Sequence, residues 1–113
     1  MKPIDLINQT VGTYLKHGWA LRRVLLRPET IALLHAEPGY DSLPLNATQV
    51  KEASIDALWF SRASHEQREA WELRLLAENP FALFETFEAD ETEEQREEMR
   101  REMEARLREH LKK

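Results

Sequence analysis

Apolar residues recur at helical spacing through residues 3–17, where Ile4, Ile7, Val11, Tyr14 and Leu15 follow the i, i+3, i+4, i+7 pattern of one helix face. Pro3 in the first turn, Asp5 near the positive end, and Lys16 and His17 near the negative end all suit a helix. Gly18 supplies its stop. Gly12, inside the helix, costs up to about 1 kcal/mol relative to alanine, and is read as marking a close approach to the sheet. Residues 19–27 (WALRRVLLR) read as a strand ended by Pro28. Its alternation is broken by Arg22 on one face and Arg23 on the other, which points to a strand buried on both faces, or bulged. Residues 28–36 fit two turns of helix, with strand as the competing reading. Residues 37–48 form the loop of the molecule, marked by Pro38-Gly39 and Pro44. A plain connection is the reading for Tyr40, Asp41 and Ser42.

Residues 49–56 are ambiguous. Asn46 or Thr48 is placed to cap a helix through Val50, Ala53 and Ala57, yet the same residues suit a backward extension of the strand that follows. Strand is favoured from about Ser54, because Leu58-Trp59-Phe60 is aromatic-rich and lies next to two further strands. The stretch 54–88 holds two of the three tryptophans and all four phenylalanines, and the rest of the chain is organised around it. Its strands are expected at 57–63, 70–77 and 82–88. On the second, Trp71, Leu73, Leu75 and Ala77 share a face, and Glu72, Arg74 and Leu76 share the other. A four-residue loop, 78–81, sets Leu75 opposite Phe84, Leu73 opposite Thr86 and Arg74 opposite Glu85. Such a charge pair contributes about 0.2–1 kcal/mol. A two-residue loop would oppose Glu72 and Glu85, and a three-residue loop would bring Glu85 to the tryptophan face.

Residues 90–113 read as a long helix. Asp90 and Glu93 have capping-box spacing, the early positions are acidic, and Lys112-Lys113 closes the chain. Glu97 with Arg101, Glu102 with Arg106, and Glu104 with Arg108 are opposite charges four apart. The apolar residues Met99, Met103, Leu107 and Leu111 also recur every four, a stripe that drifts about 40° per step. Steps of three land on Glu102, Arg106 and His110, so a self-paired coiled coil is disfavoured. Residues 90–98 are expected in solvent. The second half is expected to pack on the sheet or on a neighbouring subunit. The subunit is favoured, because a helix about 35 Å long overhangs a small domain.

The expected fold is therefore α+β: an N-terminal helix, a four-stranded, mainly antiparallel sheet with a short helical insertion, and a long C-terminal helix. The 113 residues form one domain, with residues 1–89 as the α+β core and 90–113 as a charged amphipathic helix. Two main helices leave one sheet face partly uncovered, and an apolar patch there would mark a partner or ligand surface.

Composition narrows the function classes. A net charge of −5 disfavours sequence-independent nucleic-acid binding. The absence of cysteine excludes disulfides and thiolate metal sites, and fits a cytoplasmic protein. No apolar run is long enough for a signal peptide or a membrane span. The N-x-T sequons at Asn8 and Asn46 are read as coincidence.

Candidate chemistry is sparse. His65-Glu66-Gln67-Arg68-Glu69 approaches the H-E-x-x-H zinc motif but has Glu69 in place of the second histidine, and falls at an expected turn. Asp56, Glu72 and Glu85 are read as lining the wet side of the sheet. No nucleophile elbow, phosphate loop or dinucleotide fingerprint occurs. Catalytic residues, cofactors and metals are accordingly not expected. Arg22, Arg23, Arg27, Arg62 and Arg74 fall on or beside expected strands, where they cover a sheet face or form a small cationic surface. Trp19, Arg22, Arg23, Trp59, Phe60 and Arg74 are the candidate partner or ligand surface. Met99, Met103, Leu107 and Leu111 are the candidate oligomer contact. The functional expectation is a non-catalytic, self-associating protein-interaction module. The alternative is a small-molecule-binding protein or modest enzyme with an aromatic pocket between sheet and helices, using Arg23 or Asp56 as its polar group.

Overall fold

The computed structural model describes residues 1–43, 45 and 49–112. Helix α1 (Pro3–Lys16) leads into strand β1 (Ala20–Leu26), helix α2 (Pro28–His35) and strand β2 (Val50–Glu52). Strands β3 (Ala57–Ala63), β4 (Glu69–Leu75) and β5 (Ala82–Phe87) follow, and helix α3 (Glu93–Leu111) ends the described chain. The sheet order is β2-β1-β3-β4-β5, with β1 and β2 parallel and every other pairing antiparallel. The α+β class stands, but the sheet has five strands and is mixed. Strand β2 escapes a pattern search because its three residues carry one apolar side chain, Val50. The proposed caps Asn46 and Thr48 lie outside the described residues.

Helices pack on both sheet faces. Ile4, Ile7, Val11 and Tyr14 of α1 and Leu34 of α2 pack on Val24, Leu26, Leu58 and Phe60. Met103 and Leu107 of α3 pack on Leu25, Ala57, Trp59, Trp71, Leu73 and Phe87 of the opposite face. The second half of α3 therefore docks on its own sheet. Met103 and Leu107 are 1% and 0% exposed within this chain, while Leu111 is exposed. The buried face of α3 runs through Arg100, Met103 and Leu107, in steps of three and four. Its cap is Thr92 with Gln95 in a reciprocal box, two residues later than the Asp90 expectation. Among the described residues, no helix is long and apolar enough to cross a membrane.

The β4–β5 register differs from expectation. Arg74 is opposite Ala82, and Trp71 is opposite Glu85. Arg74 and Glu85 thus lie on opposite faces, and the four-residue loop is wrong. The cause is that Leu76 donates its N–H to Asp56 beside β3 (2.9 Å), while Leu75 pairs with the Phe81 carbonyl (2.9 Å). The loop is residues 76–80. Gly12 is not a close-approach site either, since a Cβ there would meet nothing within 4 Å. Gly18, at φ +86, is the left-handed stop after α1. The near-zinc motif is a tight β3–β4 turn in which Glu66 and Gln67 both take positive φ.

Candidate functional sites

The first site is the half of the α1 face that the helices leave open, over β4 and β5. Tyr14 stacks on Phe60 (4.0 Å between centroids, 7° between planes) and meets Trp19 edge-on at 6.0 Å. Trp19 in turn meets Phe84 edge-on at 6.5 Å, and the Arg62 guanidinium lies 4.6 Å from the Trp19 ring. Phe84 is 56% exposed on an edge strand. Beside this aromatic row, the Tyr14 hydroxyl donates to Glu72, and Arg74 lies 5.9 Å from the Tyr14 ring. Burial and the bond to Glu72 push the Tyr14 pKa up to about 12 against the opposing pull of Arg74, so it remains a hydroxyl near neutrality. Arg74 has a buried Nε without a hydrogen-bond partner among the described residues. It borders a groove of about 400 Å³ between α1 and the β4–β5 loop.

The second site is a cleft of about 250 Å³ on the α3 face, lined by Arg22, Arg23, Arg96, Arg100, Trp71, Glu69 and Glu93. A bulge builds it. The register shifts between Leu21 and Arg23, so two β1 residues oppose one of β3. That shift turns the adjacent Arg22 and Arg23 to the same face. Arg96 and Arg100 reach the cleft from consecutive turns of α3. Arg100 is 2% exposed, with its guanidinium 4.0 Å from the Trp71 ring and 5.3 Å from that of Phe87. Its Nη1 donates to Glu93 (2.6 Å) and Glu97 (3.2 Å). Arg23 pairs with Glu97 at 2.8 Å, and Arg96 with Glu69 at 3.0 Å. Burial raises the Glu97 pKa, but Arg23 and Arg100 outweigh it and hold the carboxyl below its usual value. Arg22, 5.6 Å from the Trp71 ring, has no carboxylate within 4.0 Å among the described residues.

The sequence candidates are therefore divided. Trp19 and Arg74 belong to the first site, and Arg22 and Arg23 to the second. Trp59 and Phe60 are fully buried on opposite faces and serve the core. Trp59 also donates to Glu104 (2.9 Å). The three carboxylates do not share a wet face. Glu72 bonds Tyr14, Glu85 faces the α3 side, and Asp56 accepts from Arg27 and Thr30 at the start of α2. Asp56 is thus a cap and clamp for α2. Sequence reading missed Tyr14 and Phe84 in the first site, and Arg96 and Arg100 in the second. For the arginines the available signal was position: Arg96, Arg100, Met103 and Leu107 recur in steps of four, three and four.

The histidines are dispersed. His17 contacts the Thr13 carbonyl, His35 the Tyr40 hydroxyl, and His110 stacks on Phe81 at 3.6 Å. Among the described residues, no group of three or more His, Cys, Asp and Glu is arranged to hold a metal ion. No family model, curated protein or solved structure matches this chain.

Proposed function

We propose that the protein is a non-catalytic interaction module that self-associates through the open edge of β5. The observation that carries this reading is Phe84, 56% exposed beside Trp19 on an unpaired edge strand. Sheet edges are commonly protected by lysine, proline, bulges or brevity. The β2 edge has three residues, including Lys51 and Glu52. Strand β5, ALFETF, has six residues and none of the protective devices apart from Glu85, which faces the α3 side.

Hydrogen-bond alternation supports a definite pairing. Because Leu75 bonds Phe81, alternate residues Leu83, Glu85 and Phe87 turn their backbone groups to β4, while Ala82, Phe84 and Thr86 turn theirs outward. Antiparallel pairing about Phe84 places Phe84 opposite its counterpart and Ala82 opposite Thr86. Glu85 then opposes Leu83, so no like charges meet. The outward Thr86 N–H, now held by Glu85 at 3.3 Å, gains a carbonyl partner.

Light scattering on the full chain tests the reading. Wild type is expected to be a dimer and Phe84→Lys a folded, cooperatively melting monomer, because the ring is 56% exposed within one chain. A monomeric wild type at high concentration overturns it. The groove beside Arg74 favours a second reading, a small-molecule-binding protein. Native mass spectrometry of freshly purified protein would then find an adduct that Arg74→Ala loses.

A further inference from the structure

We propose that the arginine cleft between β1, β4 and α3 is a binding site for a small phosphate-bearing dianion. It is separate from the β5 edge, on the other face of the sheet. In a chain of net charge −5, four guanidinium groups line one cleft. Two of them are there because the bulge in β1 redirects Arg22 beside Arg23. Four arginines against the lining carboxylates Glu69 and Glu93 leave an excess of two positive charges, of which Glu97, bonded to Arg23 and Arg100, offsets one. Arg22 accounts for the remainder, having no carboxylate within 4.0 Å among the described residues. The Nε atoms of Arg96 and Arg100 are buried and lack hydrogen-bond partners among the described residues. Such an arrangement is costly unless an anion completes it.

The chemistry of the ligand follows from shape. The donors approach from two walls, β1 and α3, which suits a tetrahedral oxyanion better than a single planar carboxylate. About 250 Å³ lies just below the usual range of small-molecule sites, from about 300 Å³ upward. A phosphate with a short carbon skeleton fits that volume. Glu93 occupies one position such a ligand would take. Its side chain is 72% exposed while it accepts from buried Arg100 at 2.6 Å, so it can swing into water when an oxyanion replaces it. Glu97, 30% exposed and shared between Arg23 and Arg100, stays in place.

Calorimetric titration of the full-length protein with inorganic phosphate, at constant ionic strength, tests this. Wild type is expected to bind saturably. Arg22→Gln should weaken binding roughly tenfold, the scale of one charge-assisted hydrogen bond. Glu93→Gln should tighten it several-fold by removing the internal competitor. Both side chains are exposed, so both variants retain the fold. A parallel titration with malonate should bind more weakly. Absence of saturable phosphate binding in both wild type and Glu93→Gln would make the cleft an internal ion-pair network and overturn the proposal. So would an unchanged affinity in Arg22→Gln, and malonate binding as tightly as phosphate would overturn the tetrahedral assignment.

Discussion

On the face covered by α1 and α2, aliphatic side chains meet aliphatic side chains: Ile4, Ile7, Val11 and Leu34 against Val24, Leu26 and Leu58. On the face covered by α3, Trp59, Trp71 and Phe87 meet a helix that offers Met103, Leu107 and the guanidinium of Arg100. The first contact is mainly apolar, Tyr14 stacked on Phe60 included, with a polar fringe where the Tyr14 hydroxyl donates to Glu72 and the Met1 amino group pairs with Glu78. The second joins apolar burial to charge, with Arg100 laid on two rings and tied to Glu93 and Glu97. An arginine stem covers apolar surface as a leucine does, while its head keeps ionic partners. A helix that is mostly charged in sequence thereby closes a core.

The largest expected effect is on the aromatic side. Trp71 is 4% exposed, and Trp71→Ala should cost about 3–5 kcal/mol in denaturant unfolding. Melting within a degree or two of wild type would place the ring outside the core and remove the contrast. Ile7→Ala on the aliphatic face should cost about 2–5 kcal/mol, and the loss should be the same at low and high salt. A salt-dependent loss there would show that charge also holds α1.

The tyrosine gives a smaller effect with a definite sign. With its pKa raised to about 12 in the fold, the Tyr14 hydroxyl supports stability fully below the unfolded value of 10.0, and that support disappears as pH rises through about 12. About 1.4 kcal/mol per pKa unit sets an upper limit of about 2–3 kcal/mol, and solvent screening at the half-buried hydroxyl holds the effect well below it. Unfolding at rising alkaline pH should be less steep in Tyr14→Phe, and an identical profile contradicts the assignment. For Glu97, lowered in the fold, the sign reverses. Its contribution is present above the ordinary carboxylate value of 4.5 and is lost as pH falls through the depressed one. Amide protection factors in α3 should therefore fall in acid before those in the middle of α1 do. Arg100→Met should cost less than the tryptophan truncation, about 1–3 kcal/mol, because methionine refills the place of the stem on Trp71 while Glu93 is mostly exposed and Glu97 keeps Arg23.

What was legible in the sequence follows the same division. Helix α1 was read nearly to the residue because its apolar positions keep the period of 3.6, and the aromatic run located β3, but the backward extension favoured from about Ser54 is absent and the strand starts at Ala57. The irregular arginines of β1 left two readings, a strand partly buried on both faces or a bulged one; the bulge is present, but spacing alone could not say that Arg22 and Arg23 would end on one face. Register between β4 and β5 was lost because the choice rested on pairing Arg74 with Glu85. A contact between Leu76 and Asp56, twenty residues apart in sequence, decides it instead. The docking face of α3 was misjudged by counting only apolar residues, since Arg100 fills the position three before Met103. Within the sites, Trp19, Arg22, Arg23 and Arg74 were legible as candidates. Their division between two faces was not, because it depends on the bulge and the register.

The most direct test of the account is near-ultraviolet circular dichroism, with thermal melting, of a chain ending at Asp90. If α3 completes the core over Trp59, Trp71 and Phe87, the shortened chain should lose the tryptophan signal and the cooperative melt of the full protein. A shortened chain that keeps both would contradict it, and would make α3 an appendage to a sheet that closes without it.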